Sequence, residues 1–229
     1  DDTLWGSPAD DVLEGDDGTD QIRQIRDADQ VLIDTLVTGD GNDTLAAIEE
    51  AQLTAGSSDN TLDASGFNSG SVTLDGGDGD DTLLGSAGDD SLVGGTGTDQ
   101  LRQTVDADQV LTDSSLTGRG TDEVSSLEEA QLTGGAAANT LDARGFGGAV
   151  SLSGLADDDT LWGAAGNDSL DGGPGNDLVR QEIDADQVLV DTLVTGDGND
   201  TLTSVESGWL IAGSSDNALD AGGFALGSV

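Results

Sequence analysis

Residues 76–102 read GGDGDDTLLGSAGDDSLVGGTGTDQLR, a stretch crowded with aspartate and glycine that carries one arginine, Arg102. Two carboxylates about 5 Å apart repel by roughly 3 kcal/mol at an effective dielectric of about 20. Such a segment either stays unfolded or holds a cation that the sequence does not supply. Its spacing decides the matter. Cut at the glycines, it gives three nine-residue units, 76–84, 85–93 and 94–102, and the same trio recurs at 1–23 (first unit truncated) and at 154–180. The sixth position is aspartate in all nine units: Asp2, Asp11, Asp20, Asp81, Asp90, Asp99, Asp159, Asp168 and Asp177. The eighth is aliphatic in all nine: Leu4, Leu13, Ile22, Leu83, Leu92, Leu101, Leu161, Leu170 and Val179. High charge and abundant glycine are a signature of disorder. Disordered sequence does not keep two positions in phase in this way, so the chain is a repeat protein.

A longer period encloses the trios. The motif DADQV starts at Asp27, Asp106 and Asp184, steps of 79 and 78 residues. A second block, Asp43–Phe67, recurs as Asp122–Phe146 and Asp200–Phe224. It and its flanks show short strands with alternating apolar positions (Val31/Ile33, Leu45, Ile48, Leu53, Leu62, Val72/Leu74) between turn residues. No segment keeps a helical period, so helix content should be very low. The expected architecture is all-β, one continuous parallel solenoid over residues 1–229 built from three long repeats of about 79 residues.

Composition narrows the function. Of 229 residues, 47 are acidic and 6 basic, a formal net charge of -41. Nucleic acid and anionic membrane both demand a basic footprint and are excluded as partners. No apolar run of about 18 residues is present to insert in a membrane as a helix. The chain has no His, Cys, Lys or Tyr, which removes the usual nucleophile–base pairs and argues against an enzyme. A two-carboxylate glycosidase stays formally open. However, the acids recur with the repeat and do not gather at one place.

The pattern G-G-x-G-x-D-x-U-x, with U aliphatic, resembles the calcium-binding repeat of RTX proteins, which are glycine-rich secreted bacterial proteins. Gly76, Gly77, Gly79, Asp81 and Leu83 match every defined position. The resemblance implies a right-handed parallel β-roll. Each unit would be a six-residue turn followed by a short strand, with U pointing inward and same-side units eighteen residues apart. It implies several Ca²⁺ ions between stacked turns, held by the nine sixth-position aspartates and by turn carbonyls. Independent chemistry agrees. Ca²⁺ takes six to eight oxygens and accepts mixtures of carbonyl and carboxylate, while zinc and copper favour the absent His and Cys. The half-units TGDGNDTL at 38–45 and 195–202 add Asp43 and Asp200 as candidate ligands. In their counterpart TGRGTDEV, Arg119 takes the place of a cation. Some turns depart from the pattern, with Ala9 and Asp157 at position four and Asp16, Leu155 and Ala164 at position two.

Trp5, Leu84 and Trp162 share position nine, which faces out where position eight faces in, and read either as an apolar stripe or as surface residues covered locally; Phe67, Phe146 and Phe224 are expected in the core. The chain opens at the fifth position of a unit, without Met or secretory signal, and closes at Val229, which aligns with Val72. It is therefore expected to be a window on a longer array, or a subunit whose ends complete each other. These features lead to the expectation of an extracellular calcium-dependent structural segment of an adhesin, surface layer or filament. Such a segment would reach the cell surface by type I secretion and self-associate end to end or laterally. The alternative is a folding and secretion module of a type I-secreted enzyme or toxin.

Overall fold

The computed structural model describes residues 1–225, which contain β-strands and no helix. They form two compact units: Asp1–Arg102 with Ser114–Glu129, and Gln103–Asp113 with the chain from Ala130 on. Position Val229, where the sequence pattern aligned with Val72, lies outside the described residues.

In the first unit the nonapeptide strands stack in parallel. Thr82–Leu84 pairs with Thr61–Gly66 on one side and Gln100–Thr104 on the other, setting Leu83 against Leu62 and Leu101. Ser91–Thr96 does the same in the opposite sheet, with Leu92 between Leu74 and Val124. In the second unit Thr160–Trp162 sets Leu161 between Leu141 and Val179. Side chains along a strand alternate between faces, so one aliphatic per short strand suffices to line the interior. The eighth-position residues from Ile22 to Val179 are at most 1% exposed, and Leu4 and Leu13 are half-buried. Phe67 and Phe146 are in the core as expected; Phe224 is half-exposed.

The parallel winding is interrupted once in each long repeat. Gln30–Ile33, Leu36–Thr38 and Asn42–Ala46 form an antiparallel meander, and Gln187–Val190, Leu193–Thr195 and Asn199–Thr203 repeat it in the second unit. The equivalent pair Ser115–Thr117 and Thr121–Ser125 lies in the first unit. The alternation in the first meander strand is the reverse of what its hydrophobicity suggests. Val31 and Ile33 are 40% and 37% exposed, while Gln30 and Leu32 are fully buried. The Gln30 amide donates to the carbonyls of Arg26 and Thr54, which caps two main-chain acceptors inside the core. Gln109 and Gln187 do the same at Val105 and Thr133, and at Ile183 and Ile211. The two bonds made by the amide nitrogen offset the burial of this side chain, which takes an inward position of the strand.

The apolar stripe does not form. Within the first unit Trp5 borders one sheet and Leu84 lies in the other. In the second unit Trp162 is only 5% exposed, stacked between the guanidiniums of Arg144 (3.8 Å to the ring centroid) and Arg180 (4.3 Å). A large aromatic on a polar sheet face is covered by the cations its own neighbouring strands present.

Candidate metal centres

Each nonapeptide turn brings its sixth-position aspartate to the mouth of the following strand, inside the turn and beside the turn of the adjacent coil. The carboxylates then run as ladders along the sheet edges. In the first unit Oδ1 of Asp20 accepts the Asp2 amide (2.5 Å), Oδ1 of Asp81 accepts Asn60 (2.7 Å), and Oδ1 of Asp99 accepts Asp81 (2.8 Å). In the second unit Asp159 caps Asn139 and Asp177 caps Asp159 in the same way. Glu49, Glu128 and Glu206 end these ladders, their Oε2 accepting the amides of Asp20, Asp99 and Asp177. The signal that would have found Glu49 and its counterparts is their constant distance of 29 residues from the third aspartate of each trio.

The second set of ladders runs through the middle unit of each trio. Asp43, Asp122 and Asp200 cap the amides of Asp11, Asp90 and Asp168. Asp90 and Asp168 in turn cap Val72 and Val150. The two half-unit aspartates predicted as ligands, Asp43 and Asp200, therefore do join the ladders, and Asp122 joins in the TGRGTDEV copy. Arg119 donates to Asn68 and lowers the cost of charge on neighbouring Asp90.

These carboxylates are buried: all the predicted ligands except Asp2 and Asp11 are at most 4% exposed. Burial is the main cause that pushes the acids of Asp81 and Asp177 up to about 6, and those of Asp122 and Asp200 up to about 7. It also raises Asp90, Asp99, Asp159 and Asp168, opposed in each case by the hydrogen bonds they accept. Asp11 is instead held below its ordinary value by the Ser7 amide. Among the described residues no three acidic side chains converge on one point. An ion here must draw much of its shell from main-chain carbonyls.

The turns provide such carbonyls. Oδ2 of Asp20, Asp81, Asp99, Asp159 and Asp177 is buried and has no hydrogen-bond partner. An unpartnered buried carboxylate oxygen is costly unless a cation meets it. At Gly15, Gly76, Gly94 and Gly154, a Cβ would fall within 3.0 Å of both that oxygen and a carbonyl of the adjacent coil, from Ala47, Gly94, Ser126 and Gly172 respectively. Glycine at position one thus keeps open a cradle lined by one carboxylate oxygen and one carbonyl. This oxygen-only, partly anionic donor set fits calcium.

Comparison with known families matches the RTX calcium-binding nonapeptide repeat (four copies) at residues 1–23, 33–47, 73–101, 145–179 and 190–204, just over half of the chain. The chain belongs to that family. Its repeats bind Ca²⁺ at multiple sites, and the match at 33–47 and 190–204 takes in the half-units of Asp43 and Asp200. No curated protein matches the chain. As an RTX repeat protein it carries no helix long and apolar enough to cross a membrane among the described residues.

Proposed function

We propose that this RTX chain is a calcium-gated structural segment of an extracellular surface protein, an adhesin, surface layer or filament, and not an enzyme. The observation that carries the reading is the set of five buried, unpartnered Oδ2 atoms repeated along the ladders. Bound calcium supplies positive charge and a coordination shell among these oxygens. The chain's own residues do the rest. The Oδ1 atoms hold the amides of neighbouring coils, the position-one glycines leave room for an ion, and the aliphatic ladder stacks the coils. Without a cation the buried carboxylates oppose ionisation and one another, so coil stacking loses stability. Low calcium in the cytosol would keep such a chain extended for export, and higher calcium outside would set it rigid.

The acids recur with the repeat and form ladders, which supports a structural role over a catalytic one. Open sheet edges favour pairing with a further chain, and Thr3–Leu4 and Val12–Glu14 each pair on one side only. End-to-end association is the assembly proposed. The test is far-UV circular dichroism with sedimentation on chelated protein, titrated with CaCl₂, MgCl₂ or NaCl at matched ionic strength. The reading expects a cooperative gain of β signal with calcium alone, and growth in mass at the same concentration. A full β signal in chelator, or an equal response to NaCl, overturns the gating.

A further inference from the structure

The sixth position is aspartate in every unit, but the structure builds the turns in two ways. In the outer turns of the trios, position two lies in the left-handed region at Asp16 (φ 64°), Gly77 (95°), Gly95 (119°), Leu155 (78°) and Gly173 (94°). In the middle turns the same position is Ser7, Ser86 or Ala164, none with positive φ. The change of backbone turns the position-two amide inward. It donates to Oδ2 of the turn's own aspartate: Ser7 to Asp11 (2.5 Å), Ser86 to Asp90 (2.6 Å) and Ala164 to Asp168 (2.7 Å). The middle carboxylates of Asp90 and Asp168 are thus bonded at both oxygens, and neither has an unpartnered atom. Ser86 adds its hydroxyl, which donates to Asp90 and, in an alternative arrangement, to the Gly70 carbonyl. The cradle differs as well. Beside Gly85 and Gly163 the atom nearest to a Cβ would be Oδ2 of the turn's own aspartate, and beside Gly6 it would be Oδ2 of Asp43, whereas at the outer glycines a carbonyl of the adjacent coil stands among the nearest atoms.

We propose that calcium is divided unequally within each trio. The outer turns, through Asp20, Asp81, Asp99, Asp159 and Asp177, carry the ions. The middle turns, through Asp11, Asp90 and Asp168, are metal-free and are closed by their own main-chain amides. This rests on the calcium reading above and narrows it to particular residues. An Oδ2 that already accepts a short amide bond has given one lone pair to the protein, and an ion that took the amide's place would push it toward a left-handed turn. Serine and alanine resist that change more than glycine does. In the first unit each edge therefore holds one ion-bearing row and one self-capped row. Asp20 lies on the same edge as Asp90, and Asp81 and Asp99 on the same edge as Asp11.

The test counts ions. The full chain is dialysed to equilibrium against calcium and bound metal is measured by atomic emission for wild type, Asp81→Asn, Asp99→Asn, Asp11→Asn and Asp90→Asn. Each outer variant is expected to lose at least one ion per chain, and each middle variant to keep the wild-type count. Anomalous difference maps from calcium-grown crystals of the unmutated chain give the same answer without relying on a variant folding. Peaks are expected beside Asp81, Asp99, Asp159 and Asp177, with none beside Asp90 or Asp168. Peaks at the middle carboxylates, or equal losses from both classes of variant, overturn the division. A wild-type chain that binds no calcium overturns the reading beneath it.

Discussion

Asp99 accepts the main-chain amide of Asp81 through Oδ1 at 2.8 Å, eighteen residues away in sequence and one coil away in space. The two residues occupy the same position of their units, so the bond repeats wherever the coil does. One carboxylate oxygen holds the stack together and the other is left over, facing the next turn. The protein's response to acid, to metal and to mutation follows from that division of labour.

The pH dependence of the metal-free chain should run opposite to that of most proteins. Burial raises Asp81 and Asp177 to about 6 and Asp122 and Asp200 to about 7, whereas carboxyls in the unfolded chain titrate near 4. Between those values the folded chain binds more protons than the unfolded one, so its stability falls as pH rises through about 4 to 7. In chelator, the far-UV β signal should therefore be larger at pH 5 than at pH 7.5. Saturating calcium should reverse the order, because the ion needs ionised ligands. An equal β signal at both pH values in chelator would show that protonating these carboxyls does not stabilise the fold.

Glu128 ends a ladder by accepting the Asp99 amide at 3.0 Å. Glu128→Ala leaves that amide without its acceptor and should cost about 1 kcal/mol in denaturant unfolding. Glu128→Gln keeps an acceptor oxygen and should recover most of it. Equal losses in both variants would point to the charge, and not the cap, as what matters.

Leu155 holds φ at 78° in the slot where Gly77, Gly95 and Gly173 sit in equivalent turns. A branched side chain in the left-handed region costs about 1–2 kcal/mol, partly offset by the greater freedom of glycine in the unfolded chain. Leu155→Gly should raise stability by roughly 1 kcal/mol. Because Leu155 is 44% exposed, little packing is lost. A fall in the unfolding midpoint would contradict this.

Trp162 and Trp5 occupy equivalent positions but different surroundings. Trp162 is nearly buried between Arg144 and Arg180, with Arg144 anchored in turn by Asp142 at 2.7 Å. Trp5 is 53% exposed, with Arg23 5.0 Å from its ring centroid. Trp162→Ala should cost about 3–5 kcal/mol, and Trp5→Ala less than half as much. Chemical denaturation of the two variants in saturating calcium measures both.

Periodicity made the all-β coil, the inward aliphatics and the aspartate ladder legible, because each depends on position within a short unit. What escaped depends on contacts between units. The Glu49, Glu128 and Glu206 caps serve aspartates 29 residues earlier, outside any nine-residue pattern. Gln30 reads as a polar residue before an apolar pair, but its amide satisfies two core carbonyls, which reverses the strand's facing. The fate of Trp162 hinges on Arg144, brought beside it by the pairing of Asp142 with Trp162. The two classes of turn were written at position two all along, as Ser7, Ser86 and Ala164. Composition alone does not distinguish these from Asp16 and Leu155, which take the left-handed backbone despite their side chains.

In the first unit Thr3–Leu4 belongs to one sheet and Thr82–Leu84, its equivalent one long repeat later, to the other. Within this unit the chemical period and the orientational period are therefore unequal: one long step restores the sequence but puts the equivalent strand in the facing sheet. A motif encoded once per repeat is displayed on opposite borders in the two copies of this unit. A substitution made identically in these two copies would consequently decorate both margins, as consecutive nonapeptides already do.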